Sequence, residues 1–346
     1  MSVDLKALSE EELREFIHSE GLEGYRADQL IYWIYEKGVE KIEDITVFSK
    51  QLREDLSRKA YISSLQLLRK HTSEDGTEKY LFKLEDGETI ETVLIPDDDR
   101  LTLCVSSQVG CPMGCRFCLT AKIGFRRNLR PHEIVDQIIK VQGLIKPKRI
   151  TNIVFMGMGE PLKNTENVSE ALKRITSLLR ISKRRITLST SGIVPEIKRL
   201  PAIAPQVNLA ISLNATRDSI RTQIMPVNRT YPINELLEAC RKYPLEPRRR
   251  ITFEYILIKD VNDSPADASR LAELLRGIRA KINLIPFNPH RELEFKRPSE
   301  RAILRFQKIL TDRGYTAIIR KSKGIDISAA CGQLSGEYNL LRSGDF

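Results

Sequence analysis

Three of the chain's six cysteines crowd into one short stretch, Gly110-Cys111-Pro112-Met113-Gly114-Cys115-Arg116-Phe117-Cys118. The spacing is C-x3-C-x2-C, on a loop predicted just after a strand. Three thiolates this close can hold three irons of a cubane iron–sulfur cluster and leave the fourth iron without a protein ligand. A reactive cluster needs such an open position, because a substrate or cofactor must coordinate there. A structural zinc normally takes four ligands. The nearest further candidate, His132, begins a predicted helix, so a three-cysteine zinc site is the weaker reading. The other cysteines lie apart. Cys104 ends a predicted strand in Leu103-Cys104-Val105-Ser106 and by itself reads as a buried strand residue. Cys240 falls on the apolar face of a predicted helix. Cys331 sits in a small-residue loop, Ser328-Ala329-Ala330-Cys331-Gly332, where an exposed, reactive thiol is expected.

A second group of polar residues recurs at predicted strand ends. Gly157-Met158-Gly159-Glu160-Pro161 follows the strand at Asn152–Met156. Its glycines would let backbone approach a ligand, and Glu160 can accept hydrogen bonds from an ammonium. Ser191, the run Ser212-Leu213-Asn214, and Asn288 in Pro286-Phe287-Asn288-Pro289 occupy equivalent places. Each alone could be a turn or a helix cap.

The elements that must position these residues alternate. Predicted strands at Leu101–Val105, Asn152–Met156, Arg185–Thr190, Val207–Leu213, Ile251–Ile258, Lys281–Pro286 and Thr316–Arg320 are separated by predicted helices. Apolar strands alternating with helices indicate a parallel sheet with βα crossovers, here an α/β fold with a partial (β/α)6 barrel over residues 100–346. Such barrels carry their chemistry at the C-terminal ends of the strands. Residues 61–99 read as a β-meander, with Asp-Gly turns at Asp75-Gly76 and Asp86-Gly87. Residues 1–60 read as a helical accessory domain, opened by a Ser9…Glu12 capping box.

Composition bounds the class. The chain has 346 residues, with 41% hydrophobic and 29% charged, which excludes disordered, collagen-like and coiled-coil architectures. No membrane span or signal peptide is expected, and the cytoplasm is the expected compartment. The net charge is +10, and it is uneven. Residues 1–60 carry 9 basic and 14 acidic side chains, while the remainder carries 47 and 32. A basic body suggests a polyanion such as nucleic acid. Lys146-Pro147-Lys148-Arg149, Lys183-Arg184-Arg185 and Arg248-Arg249-Arg250 are candidate phosphate contacts.

The cysteine motif, with Phe117 before its third cysteine, resembles the radical S-adenosylmethionine (radical SAM) superfamily. There the open iron binds the amino and carboxylate groups of SAM, and GxGEP matches a motif contacting the amino group. Longer stretches resemble one family within it. ETVLIP from Glu91, TLCVSSQ around Cys104, GCPMGCRFCLTAKIGFRRNL from Gly110, FMGMGEPLKN from Phe155, LSTSG from Leu188, ISLNAT from Ile211, LIPFNP from Leu284 and DISAACGQL from Asp326 are similar to the RlmN family, the dual-specificity ribosomal and transfer RNA adenine-C2 methyltransferases.

This resemblance implies a cofactor set, a mechanism and partners. One [4Fe-4S] cluster with an open iron would be held by Cys111, Cys115 and Cys118. SAM would be bound by Gly159, Glu160, Ser191, Ser212, Leu213, Asn214 and Asn288, with two SAM molecules used per turnover. The first methylates Cys331. The second yields an adenosyl radical that takes a hydrogen from the S-methyl group, and the resulting methylene radical adds to C2 of the adenine. Cys104 then releases the product as a transient Cys104–Cys331 disulfide forms. Glu91 would remove the C2 proton, although an alternating strand would by itself place that carboxylate in solvent. The implied substrates are an adenosine of 23S rRNA in the peptidyl transferase centre and one in the tRNA anticodon loop, with the helical domain helping to bind RNA. The implied partner is an electron-donor protein such as flavodoxin, and the chain would be monomeric. Two other readings share some of these residues. A Cfr-type enzyme would methylate C8 of the ribosomal adenosine, and an RNA-binding protein would use its cluster only structurally or as a redox sensor.

Overall fold

A computed structural model describes residues 2–336. Ten strands form one continuous sheet: β1 (Gln66–Thr72), β2 (Glu78–Lys83), β3 (Thr89–Asp97), β4 (Arg100–Cys104), β5 (Asn152–Phe155), β6 (Ile186–Thr190), β7 (Asn208–Ser212), β8 (Ile251–Leu257), β9 (Ala280–Pro286) and β10 (Ala317–Ile319). Each pairs with its neighbour in sequence, in the order β10-β9-β8-β7-β6-β5-β4-β3-β2-β1. From β4 to β10 every pairing is parallel, whereas β1 to β4 run antiparallel. The parallel strands β4 to β10 thus have the order of the expected partial barrel, and the predicted meander extends the sheet from β4.

The strand sequences account for this burial. β8, ITFEYIL, is buried at every position, as expected for a parallel strand covered on both faces. Five of the covering helices fall on the helical segments expected between the strands, 132–142, 167–179, 233–242, 265–276 and 299–313: α4 (Pro131–Leu144), α5 (Thr165–Ser177), α7 (Ile233–Lys242), α8 (Pro265–Leu274) and α9 (Glu300–Asp312). On α9, Ile303, Phe306 and Leu310 form the buried stripe, and the Ser299 hydroxyl caps the first turn. The sixth, α6 (Val194–Ile203), lies outside the expected helical segments, and it contains two prolines. Pro195 lies in the first turn, where its missing N–H costs nothing, and Pro201 lies close to the end of the helix.

The N-terminal unit comprises α1 (Glu10–Ser19), α2 (Tyr25–Ile31), a π-helical turn over Tyr32–Lys37 and α3 (Lys50–Lys59). The Ser9–Glu12 capping box is formed. This unit is pinned to the barrel. Lys6 and Asp136 of α4 make an ion pair with both side chains buried, Asp136 also accepts the Leu65 N–H at 2.7 Å, and Arg174 of α5 donates to the Lys6 carbonyl at 2.7 Å. Among the described residues no helix is long and apolar enough to cross a membrane.

Candidate active site

The C-terminal ends of the barrel strands meet at a cavity of about 150 Å³. The cysteine loop enters it after β4 and a short strand, Gln108–Gly110, that pairs with Phe125–Asn128. Gly110 turns the chain with φ +73, and a Cβ there would stand 1.7 Å from the Gly124 carbonyl oxygen, so only glycine fits. Cys111 N–H donates to that same oxygen at 3.0 Å, Arg116 N–H donates to Ile224 at 3.0 Å, and Cys118 N–H closes on the Cys115 carbonyl at 3.2 Å. All three thiols line the cavity.

Burial pushes the Cys111 thiol up to about 12, and pushes Cys115 and Cys118 up as well. Neighbouring loop thiols and Glu160 raise Cys111 and Cys115 further. Buried thiols so placed ionise together only around a positive centre, which suits iron. Among the described residues no three His, Cys, Asp or Glu side chains group as a site for a metal ion. A cubane instead takes one thiolate per iron. His132 does not serve as a fourth ligand: it is buried at the start of α4, with its Nε2 3.7 Å from Asp4.

Glu160 follows β5 and is buried. Its Oε1 accepts the Leu162 N–H at 3.0 Å and its Oε2 the Ser191 N–H at 2.6 Å. Burial raises its pKa, against these hydrogen bonds. Gly157 and Gly159 in this loop line the cavity and also allow close packing against protein. A Cβ at Gly157 would meet Val105 backbone at 2.7 Å, and one at Gly159 would meet Gln108 at 2.6 Å. Ser191 and Ser212 also line the cavity. Glu254 Oε2 is buried there without a hydrogen-bond partner among the described residues. An orphaned acceptor of this kind suits a ligand with N–H or O–H donors, such as SAM.

Three further residues expected to bind SAM also make contacts within the protein. Leu213 is buried off the cavity, and its carbonyl accepts from Arg221 at 2.9 Å. Asn214 lines the cavity, but it holds φ +58 and its Oδ1 accepts the Ile256 N–H at 2.9 Å. Asn288 donates to the Cys331 carbonyl at 3.3 Å and accepts from Ser322 at 2.5 Å. It lines a second pocket, of about 70 Å³, together with Cys104, Arg320 and Cys331.

Cys331 lines both spaces. It is exposed by accessible area, yet protein crowds it, and that burial raises its thiol pKa while Arg320 lowers it. Cys104 is buried at the end of β4. Burial first, and then the nearby Cys331, push its thiol up to about 12. The segment bearing Cys331 is latched at both ends. Asp75, in the β1–β2 turn, accepts the Gly324 N–H at 2.9 Å, and Asp326 accepts the Ser73 hydroxyl at 2.5 Å and the Glu74 N–H at 3.2 Å. Beyond the cysteine, Leu119 N–H donates to Gly332 at 2.8 Å and Thr120 Oγ1 to Leu334 at 2.7 Å.

Glu91 on β3 does not face solvent, as strand alternation alone would have it. It is fully buried, 3.1 Å from Lys79 Nζ. Its Oε2 accepts the Ser335 and Gly336 N–H groups at 2.8 and 3.0 Å, so it anchors the cysteine segment and lines neither cavity. The expected phosphate contacts are also displaced. Lys146–Arg149, Lys183–Arg185 and Arg248–Arg250 precede β5, β6 and β8, at the strand ends opposite the cysteines.

Sequence reasoning missed Arg221, which is wholly buried. It donates to the carbonyls of Ser191 (2.6 Å), Leu213 (2.9 Å), Ser212 (3.2 Å) and Tyr231 (3.4 Å), and to Asn228 (3.1 Å). It ties two cavity loops together. A lone arginine in a short helical turn carries no pattern to reveal this.

Residues 105–272 match the family model of the radical SAM superfamily, and residues 3–62 match that of the ribosomal RNA large subunit methyltransferase N-terminal domain. The dual-specificity RNA methyltransferase RlmN of Syntrophus aciditrophicus is 52% identical, over 97% of this chain and 97% of that protein. The RlmN of Geobacter sulfurreducens is 51% identical, over 98% and 94%. The crystal structure of a radical SAM methyltransferase from Sphaerobacter thermophilus superposes with a TM-score of 0.92 at 45% identity, over 96% of this chain and 99% of that one. Identity of this degree, over the barrel, the cysteine loops and the N-terminal unit alike, means that the chain belongs to the RlmN family of radical SAM RNA methyltransferases.

Proposed function

We propose that this protein methylates C2 of an adenosine in 23S rRNA and in the tRNA anticodon loop. One observation carries the reading: Cys331 stands on the shared wall of two spaces, with the three loop thiols in one and Cys104 in the other. A residue that receives a group on one side and surrenders it on the other needs this placement.

In this reading Cys111, Cys115 and Cys118 hold one [4Fe-4S] cluster, and Glu160, Ser191 and Ser212 hold SAM beside it. Together these groups supply a methyl donor and a hydrogen-abstracting radical, with two SAM molecules consumed per turnover. Cys331 carries the methyl-derived carbon on its sulfur to the adenine ring. Cys104 attacks that sulfur, so the S–C bond to the product breaks as a Cys104–Cys331 disulfide forms. Asn288 holds the Cys331 backbone. Glu91 accepts the C2 proton only after the Ser335–Gly336 segment moves off its carboxylate. The target adenine leaves its stack to reach this site. The N-terminal unit contributes shape-based RNA contacts. A flavodoxin-type protein supplies electrons, and the enzyme works as a cytoplasmic monomer.

The test is anaerobic reconstitution with SAM, reductant and RNA from cells lacking the activity, followed by nucleoside mass spectrometry. The expected product is 2-methyladenosine. A product methylated at C8, or SAM cleavage without RNA methylation, contradicts the reading.

A further inference from the structure

Two carboxylates line the larger cavity, and only Glu160 has been given a task. Glu254 lies in the middle of β8, 4% exposed. In register it stands between Ser212 on β7 and Asn283 on β9, and residues paired in register project from the same face of a sheet. Its carbonyl accepts the Leu213 and Asn214 N–H groups at 3.1 and 3.4 Å, which fixes its backbone. Asn283 donates to Oε1 at 2.9 Å. Oε2 is buried on the cavity wall with no partner among the described residues. A buried carboxyl oxygen left open is costly, so the arrangement calls for a donor from a ligand.

The two acids sit at different ends of the cavity. Glu160 follows β5 and accepts the Ser191 N–H at the end of β6, whereas Glu254 lies on β8, with β6 and β7 between their strands. We infer that Glu254 Oε2 accepts a hydrogen bond from a ribose hydroxyl of SAM bound in this cavity. This assignment rests on the function proposed above and deepens it. SAM offers donors only at its ammonium, its ribose hydroxyls and its adenine amine. The ammonium belongs with the loop thiols and Glu160. The ribose carries the 5′ carbon that must come close to Cys331, so its hydroxyls lie at the Glu254 end. A cis-diol also matches two neighbouring acceptors in one row, Glu254 and the Ser212 hydroxyl. The adenine amine lies further from the 5′ carbon, and a lone carboxylate there would leave the ring nitrogen beside that amine unpaired.

The experiment is anaerobic equilibrium dialysis of the reconstituted holoenzyme with S-adenosylhomocysteine, its 2′-deoxy and 3′-deoxy analogues, and its inosine analogue. The proteins compared are wild type, Glu254→Gln and Glu254→Asp, each with iron content and melting temperature measured. Glu254→Gln is expected to bind S-adenosylhomocysteine about 10- to 100-fold more weakly, the loss of one charge-assisted hydrogen bond. One deoxy analogue should cost wild type a similar factor and cost Glu254→Gln nothing further. Glu254→Asp, charged but shorter, should fall between. Wild-type affinity in well-folded Glu254→Gln, or losses that simply add for both deoxy analogues, overturns the assignment. A loss that fails to add only with the inosine analogue overturns it in favour of the adenine amine. If Glu254→Gln does not fold, the Glu254→Asp comparison decides on the same criteria. Wild type that cannot bind S-adenosylhomocysteine at all overturns both this assignment and the function beneath it.

Discussion

Replacing Arg221 by Met keeps a long apolar stem and deletes five hydrogen bonds. Of the freed acceptors, the Leu213 carbonyl keeps the Ala215 N–H at 2.8 Å, whereas the Ser191 and Ser212 carbonyls, at the cavity, and the buried Asn228 Oδ1 lose their arginine donor. Each orphaned buried acceptor costs about 1–3 kcal/mol, so the three together cost roughly 6 kcal/mol at the middle of that range. Part of this is recovered. Burial brings the Arg221 pKa from 12.5 down to about 10, so holding the cation there costs roughly 3 kcal/mol, which Met does not incur. The net destabilisation is about 3 kcal/mol, equivalent to a fall of roughly 4 °C in melting temperature for a chain of this length. Because the bonds couple the Ser191 loop to the end of β7, S-adenosylhomocysteine affinity should also drop at least tenfold (on the order of 1.4 kcal/mol). Arg221→Lys, which retains a charge but cannot span four carbonyls, should recover part of the stability and little of the affinity. Calorimetry and equilibrium dialysis read the two effects separately. An Arg221→Met protein that melts within a degree of wild type and binds S-adenosylhomocysteine normally would refute the claim that this arginine holds the loops.

Other perturbations test other parts of the account. Asp75→Asn with Asp326→Asn should unlatch the Cys331 segment, slowing methylation of Cys331 while leaving S-adenosylhomocysteine affinity within twofold; peptide mass spectrometry measures the first. Asp75 itself is held down to about 2 from an ordinary 3.8, by hydrogen bonds that outweigh its burial. Its contribution is therefore complete above about pH 4 and lost as pH falls through 2, so the variant should differ from wild type at every ordinary assay pH. Any one of Cys111→Ala, Cys115→Ala and Cys118→Ala should abolish the iron–sulfur absorption band, and a full-intensity band in one of them removes that residue from the ligand set. Asp136→Ala strands Lys6 in the interior and should cost about 3–5 kcal/mol by denaturant unfolding; a loss below about 1 kcal/mol would mean that the N-terminal unit is held by its apolar contacts alone. Alanine at Lys146, Lys148 and Arg149 should leave modification of a short anticodon stem–loop within twofold, because these side chains lie at the far strand ends, and a tenfold loss there would show that RNA wraps the barrel.

Much of the fold was legible because its signals are local. Seven apolar strands and five helices announce themselves by periodicity and spacing, and the cysteine loop by ligand spacing. What stayed hidden depends on contacts distant in sequence. Strand alternation would put Glu91 in solvent, but β3 is covered by the C-terminal segment, whose N–H groups reach it from more than 240 residues away. Basic runs name no location, and only the strand direction places these three opposite the site. The latch between Asp75 and Gly324, the ties of Arg221 and the open oxygen of Glu254 all join residues whose neighbours in sequence carry no motif. Resemblance to a family supplied roles for Cys104 and Cys331 that residue types alone left open, and the geometry supplies the reason they can cooperate: one pocket holds both thiols.

The central claim is the division of labour between those two thiols. In the proposed mechanism Cys331 receives and delivers the carbon and Cys104 releases it, so their variants must fail at different steps. Reconstituted Cys104→Ala, incubated anaerobically with SAM, reductant and labelled RNA, should accumulate a covalent protein–RNA species, seen as a shifted band on a denaturing gel. Cys331→Ala and the double variant should show none, because without the Cys331 sulfur no attachment forms. Normal turnover by Cys104→Ala without a cross-link, or a cross-link that persists in Cys331→Ala, would contradict the account.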